Sequence, residues 1–357
     1  MRNSDRKIKY SQAVNEAVSQ CMESDPAVFI IGEGVPDPKG IFGTTLGLKE
    51  KFGSARVMDM PVSENGVTGI MIGAALAGMR PVMTHQRMDF MLYAMDQLLN
   101  NAAKWKYMFG GRSVPLVIRT IIGRGWGQGA QHSQNFQALF AHIPGLKVVM
   151  PATAYDAKGL LVSSIEDDGP VIFIEHRWLH DTVDYVPEEI YRVPLGKCGR
   201  PRSGDALTII SHSYMTIEAL KAAGILEKEG IFADLIDLRT VKPLDLASIF
   251  RSVKRTGRLL VLDDDWKTGG VAAEIIASVA ENGRLKLKKP PARITLPDVP
   301  TPTSPALSKF YYPGTKEIIS KAAELLGLNN GKKLKLLSRI PANILQDVPD
   351  RSFTGPF

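Results

Sequence analysis

Cysteine, aromatic residues and long apolar runs are all scarce in this chain, and each shortage removes a class of protein. Only Cys21 and Cys198 occur in 357 residues. They lie far apart with no metal-ligand or redox spacing, so a disulfide scaffold is excluded and a reducing compartment fits. No apolar run reaches the ~18 residues that a membrane-spanning helix needs. Residues 1–7 are polar and lack the apolar core of a secretory signal. These absences predict a cytoplasmic chain.

What is present is ordinary globular composition, 44% apolar and 23% charged, with length enough for two domains. The net charge of +7 raises the question of nucleic acid. Its excess sits in Arg284-Leu285-Lys286-Leu287-Lys288-Lys289 and Lys332-Lys333-Leu334-Lys335, without interleaved aromatics or a recognisable nucleic-acid module. An acidic protein partner fits those runs better.

Buried-type strands at 28–34, 81–85, 115–119, 145–151 and 171–175 alternate with helical patterns at 8–24, 46–52, 93–106, 136–140 and 154–166. That alternation predicts an α/β fold with a parallel sheet covered on both faces. Residues 187–204 lose the periodicity and collect prolines and glycines, as a linker does. A second, smaller alternation follows, with strands at 207–211, 233–237 and 258–262 and helices at 214–228, 246–254, 271–282 and 316–326. The expected organisation is a first domain over 1–186, a linker over 187–204, a second domain over 205–330 and an extension over 331–357, too aperiodic for a third domain.

Residues 57–80 hold the first chemical signal. A β-rich lead-in meets Pro61 and Ser63, and a small-residue helix follows in which Gly66, Gly69 and Gly73 thin one side. Each glycine costs a helix about 1 kcal/mol against alanine, which points to a partner helix or a cofactor approaching the backbone. Glu64 sits at this strand-to-helix junction. It can complement the helix dipole or act chemically, and the stretch alone leaves both open. A second signal is the loop from Gly123 to Gln134, in the pattern Gly-x-Gly-x-Gly-x-Gly-Ala-Gln-His-Ser-Gln. No Gly-Lys-Ser/Thr follows it, so it is not a P-loop.

Taken with Met60-Pro61-Val62-Ser63-Glu64, Met88-Asp89-Phe90 and Asp237-Leu238-Arg239-Thr240-Val241-Lys242-Pro243-Leu244-Asp245, the loop resembles the β subunit of the thiamine-diphosphate-dependent 2-oxo acid dehydrogenases. This is the E1β chain of pyruvate, branched-chain and acetoin dehydrogenase complexes, and the likeness spans about residues 5–328. It implies a pyrimidine-binding domain of transketolase type followed by a smaller transketolase C-terminal-like domain. Glu64 then matches the carboxylate beside the aminopyrimidine N1′, where hydrogen bonding and partial desolvation raise its proton affinity. Phe90 matches the ring on which the pyrimidine stacks, Val62 and Tyr93 match pocket positions, and His132 matches the active-site histidine. Against these stand plain readings: Phe90 as core and His132 as a satisfied loop histidine.

The magnesium-diphosphate signature of thiamine enzymes, Gly-Asp-Gly followed by Asn, is missing from this chain. The resemblance therefore implies that only the pyrimidine half of thiamine diphosphate is held here. An E1α subunit supplies the diphosphate and Mg2+ half in an α2β2 heterotetramer, with a lipoyl acyltransferase (E2) core as a further partner. Arg87, Arg124, Trp126, the run Asp263-Asp264-Asp265 and the tail depart from the family pattern, and residues 164–169 align with its monovalent-cation loop. The expected reaction is decarboxylation of a 2-oxo acid with acyl transfer to a lipoyl carrier. Two other outcomes are a thiamine-dependent carboligase or acyltransferase outside a dehydrogenase complex, and a catalytically silent scaffold, although Glu64 is retained.

Overall fold

The structure, a computed structural model, describes residues 6–125 and 128–341. The chain divides into two compact units, the first running to Leu195 and the second beginning at Gly196. Each contains a largely parallel sheet.

In the first unit, β1 (Lys7–Lys9) leads into α1 (Tyr10–Ser24), followed by β2 (Val28–Gly32), α2 (Leu48–Phe52), β3 (Val57–Met58), α3 (Glu64–Leu76) and β4 (Arg80–His85). There follow α4 (Met88–Met91), α5 (Trp105–Phe109), β5 (Val117–Ile122), α6 (Gln137–His142), β6 (Lys147–Val149), α7 (Ala154–Glu166), β7 (Val171–His176) and β8 (Val183–Tyr185). The strands β6-β7-β5-β4-β2-β3 lie side by side in that order and pair in parallel. Every residue of β2, β5 and β7 is buried, as a sheet covered on both faces requires. These six strands point the same way, so their carboxyl ends form one edge, the place where open α/β sheets gather chemistry.

A buried ion pair ties two of these strands together. Arg119 on β5 meets Glu175 on β7 at 2.7 Å, both side chains fully buried. Burial pushes the Glu175 carboxyl up, but Arg119 and His180 more than offset it and hold it below the usual carboxylate range.

The second unit has five strands in the order Ala292–Leu296, Leu259–Trp266, Leu207–Ser211, Ala233–Asp237 and Gly199–Arg202. The last is antiparallel to its neighbour and the other pairings are parallel. Its core gathers Leu207, Ile209, Leu235, Leu260, Ala219, Ile318 and Ile319 around that sheet.

Three local expectations are corrected. The helix expected from residue 8 begins at Tyr10, because residues 7–9 pair with 183–185 as a small antiparallel ribbon. The single helix expected over 93–106 is broken, since residues 97–102 form a widened π turn that sets the Gln97 side chain against Gly69. Part of the stretch read as linker is the edge strand Gly199–Arg202. Pro201 is tolerated there because an edge strand need not use every amide. Within the extension, Asn330–Leu337 is helical, with Asn329 accepting the Lys332 amide as its cap; residues 342–357 lie outside the described residues, as does Trp126.

Candidate active site

Helix α3 shows why a carboxylate is buried at a strand end. Its buried residues are Glu64, Val67, Thr68, Met71, Ile72 and Ala75, the spacing of one apolar helix face. Glu64 is the first of that series. It is therefore carried inward by the same face that packs the helix, where Thr68 donates to Met83 of β4 at 3.4 Å. Only 7% of Glu64 is exposed. The opposite side of α3 carries Asn65, Gly66, Ile70 and Gly73, all exposed. Gly73 has open space where a Cβ would stand.

Glu64 is not alone. Its charge and that of Asp59 reinforce burial in pushing the Glu33 carboxyl above its ordinary value, and Glu33 Oε1 is buried with no hydrogen-bond partner. Asp59 accepts the amides of Gly34 at 3.0 Å and Met60 at 2.9 Å. The carboxyl ends of β2 and β3 thus bring three acids together across some thirty residues of chain. Glu33 was missed in the sequence. Its only signal there is its place after the apolar run Phe29-Ile30-Ile31-Gly32.

Phe90 and His132 meet across the sheet edge. Their rings stand edge to face, 5.4 Å between centroids and 89° between planes. Phe90 is partly exposed on α4, and His132 is exposed in the loop after β5. Val62 and Tyr93 are 82% and 74% exposed, so within this chain they stand open to solvent rather than lining an enclosed pocket. The loop is shaped by Gly123, whose φ of +88° suits glycine and whose Cβ would fall 2.5 Å from the His176 ring. Gly125 N donates to Gln128 Oε1 at 2.9 Å, Arg124 Nε to Gln128 O at 2.9 Å, and Trp178 Nε1 to Arg124 O at 2.6 Å.

The loop at 164–169 is held by Lys147, which donates to both Asp167 oxygens at 2.5 and 2.6 Å, and by the Gly169 amide on the same carboxylate. His85, at the end of β4, is buried without a partner for Nε2, and burial pushes it down to about 4. It is a neutral core histidine.

In the second unit, His212, Asp263 and Asp264 bring ligand-type atoms within 4.8 Å of one another, the one such group among the described residues. His212 Nε2 lies 3.1 Å from Asp263 and Nδ1 3.7 Å from Asp264. Burial opposes the charged ring, yet the Asp263 hydrogen bond and the charges of Asp264, Asp263 and Asp237 push it up to about 9. Asp263 also accepts the Ala272 amide at 2.9 Å, at the start of the helix Val271–Glu281. This is a protonated imidazole locked between carboxylates, and Asp263 has a definite task within it. Among the described residues no helix is long and apolar enough to cross a membrane.

Comparison with known proteins places these features in a family. Residues 6–181 match the model of the transketolase pyrimidine binding domain, and residues 196–318 that of the transketolase C-terminal domain. The β subunit of acetoin:2,6-dichlorophenolindophenol oxidoreductase from Cupriavidus necator is 42% identical over 332 residues, covering 90% of this chain and 98% of that relative. From Bacillus subtilis, the β subunits of 2-oxoisovalerate dehydrogenase and of the pyruvate dehydrogenase E1 component are each 40% identical, covering 89% and 88% of this chain and 98% and 97% of those relatives. A solved split-gene transketolase, described as an inactive β4 tetramer, superposes with a TM-score of 0.75 at 21% identity over 90% of this chain and 99% of its own, a likeness of fold. With a buried acid at the head of α3, an aromatic and an imidazole meeting at the same sheet, and both domains matched, the chain belongs to the transketolase-like thiamine-diphosphate enzymes, among the E1β subunits of the 2-oxo acid dehydrogenases.

Proposed function

We propose that this chain, together with an E1α subunit, decarboxylates a 2-oxo acid and hands the acyl group to a lipoyl carrier. The observation that carries the reading is Glu64, a carboxylate buried by its place on the inner face of α3 while Phe90 and His132 stand accessible in the same unit. The donor set fits the pyrimidine half of the cofactor. One buried acid can share a proton with a ring nitrogen, a partly exposed aromatic can cover a ring face, and the orphaned Glu33 oxygen marks polar capacity that this chain does not fill.

Thiamine diphosphate supplies the carbanion chemistry when bound. In this arrangement Glu64 would hydrogen-bond the aminopyrimidine N1′ and Phe90 would orient the ring, with Val62 and Tyr93 completing the wall against the partner subunit. His132, accessible and imidazole in character, handles a proton or orients an anionic substrate near neutral pH. The diphosphate and Mg2+ belong to the α subunit in an α2β2 assembly. An E2 core and a cytoplasmic setting complete the proposal.

The test is calorimetry of thiamine diphosphate and magnesium binding to this chain alone and after co-expression with its α subunit. Tight binding only in the complex is the expected result. Tight binding by the isolated chain would overturn the split site, and no binding in either preparation would sink the cofactor reading.

A further inference from the structure

The segment Arg87–Phe90 touches the loop of His132 at more than one place. Arg87 is 3% exposed, and its Nη1 donates to the Gly123 carbonyl at 2.5 Å, where the chain leaves β5. Its guanidinium also stands 5.7 Å from the centre of the Phe42 ring, with Arg177 4.5 Å from the same ring. Two residues along, Asp89 Oδ1 accepts from Gln134 Nε2 at 2.7 Å, just after His132. Between them, Met88 Sδ accepts the Phe136 amide at 3.1 Å. Phe90 then meets the His132 ring itself.

We propose that Arg87 and Asp89 are positioning residues that bracket the His132 loop, Arg87 fixing the backbone where the loop begins and Asp89 fixing it where the loop ends. The segment that carries Phe90 thereby sets the imidazole relative to that aromatic ring. A loop pinned at one end pivots about the pin, whereas a loop pinned at both ends keeps its middle in register. The hydrogen bonds come from side chains whose own positions are settled by burial, since Arg87 and Asp89 are both buried, and preorganised supports of this kind are what hold reacting groups in place. The kinetic part of the proposal rests on the reaction proposed above; the geometric part does not.

Two measurements on the αβ complex test it. In steady-state kinetics with a lipoyl acceptor, Arg87→Met and Asp89→Leu should each lower kcat by about 10- to 100-fold while KM for the 2-oxo acid stays within about twofold, the pattern of misplaced rather than missing binding groups. Asp89→Asn, which still accepts from Gln134, should restore most of the rate. In hydrogen exchange, residues 128–134 should lose protection in Arg87→Met and in Asp89→Leu and regain it in Asp89→Asn. Unchanged exchange in both variants overturns the bracket. So does an Asn variant as damaged as the Leu variant, or a lowered melting temperature with kcat untouched. If the wild-type complex turns over no 2-oxo acid, the proposed reaction falls, and the exchange result alone decides the bracket.

Discussion

The carboxyl ends of the strands are acidic in both units, and the two edges treat their acids in opposite ways. In the first unit, Glu33 is raised by burial and by the like charges of Glu64 and Asp59, and one Glu33 oxygen is left without a partner. In the second, Asp263 and Asp264 close on the His212 imidazole and hold it charged. The same architecture thus yields one edge whose charges repel and another whose charges are matched. Like charges gathered at one edge raise one another's proton affinity, which suits that edge to exchanging a proton with a bound group. An edge with matched charges contributes to the fold itself.

Substitutions should separate the two edges cleanly. Glu64→Gln should lower turnover of the αβ complex by about 1,000-fold, in the range for loss of a proton-transfer group, while leaving assembly and melting temperature nearly unchanged. A large loss of stability would mean that the first edge is structural after all.

The second edge should show itself in stability against pH. His212 has a folded value near 9 against 6.5 for the free side chain, so its contribution is full below about 6.5 and is lost as pH rises through 9. That contribution amounts to about 3 kcal/mol. Urea titrations from pH 6 to 10 should show stability falling over that window, and Asp263→Asn should flatten the fall by lowering stability at its acid end. A profile equally steep in the variant would break the assignment.

His132→Ala should cost about 100-fold in acyl transfer to a lipoyl acceptor, with no change in chemical denaturation, as befits an exposed side chain. The smallest effect belongs to Glu33→Gln. Relief of like-charge repulsion should move stability by no more than ~0.5 kcal/mol, and in the stabilising direction, in a differential scanning measurement at neutral pH.

Much of this was legible in the residues. The chain from Pro61 to Ala75 announces a turn, a helix start and an inner face, and Glu64 falls on that face because its spacing from Val67, Thr68 and Met71 is helical. The strand runs were long and apolar enough to read directly. What could not be read depends on contacts distant in sequence. Nothing local makes residues 7–9 a strand; their pairing partners lie at 183–185. Nothing local separates a π turn at 97–102 from an ordinary helix, since both keep the apolar residues on one side. Glu33 and Asp59 follow the ends of different strands, and only the parallel pairing of β2 with β3 brings them beside Glu64. The Asp263 run read as a departure of unknown effect, because His212, which it clamps, lies 51 positions away.

Helix α3 carries one further consequence. Gly73 stands exposed with open space around it, so its cost of about 1 kcal/mol relative to alanine is repaid by no contact on its side-chain side among the described residues. For a subunit of this family, stability is then a matter of mass action. Were an α subunit to cover that exposed face, the assembled chain would melt higher than the free one, and its melting point would climb with the concentration of that subunit. How durable the protein is in a cell would follow from the ratio in which two polypeptides are synthesised.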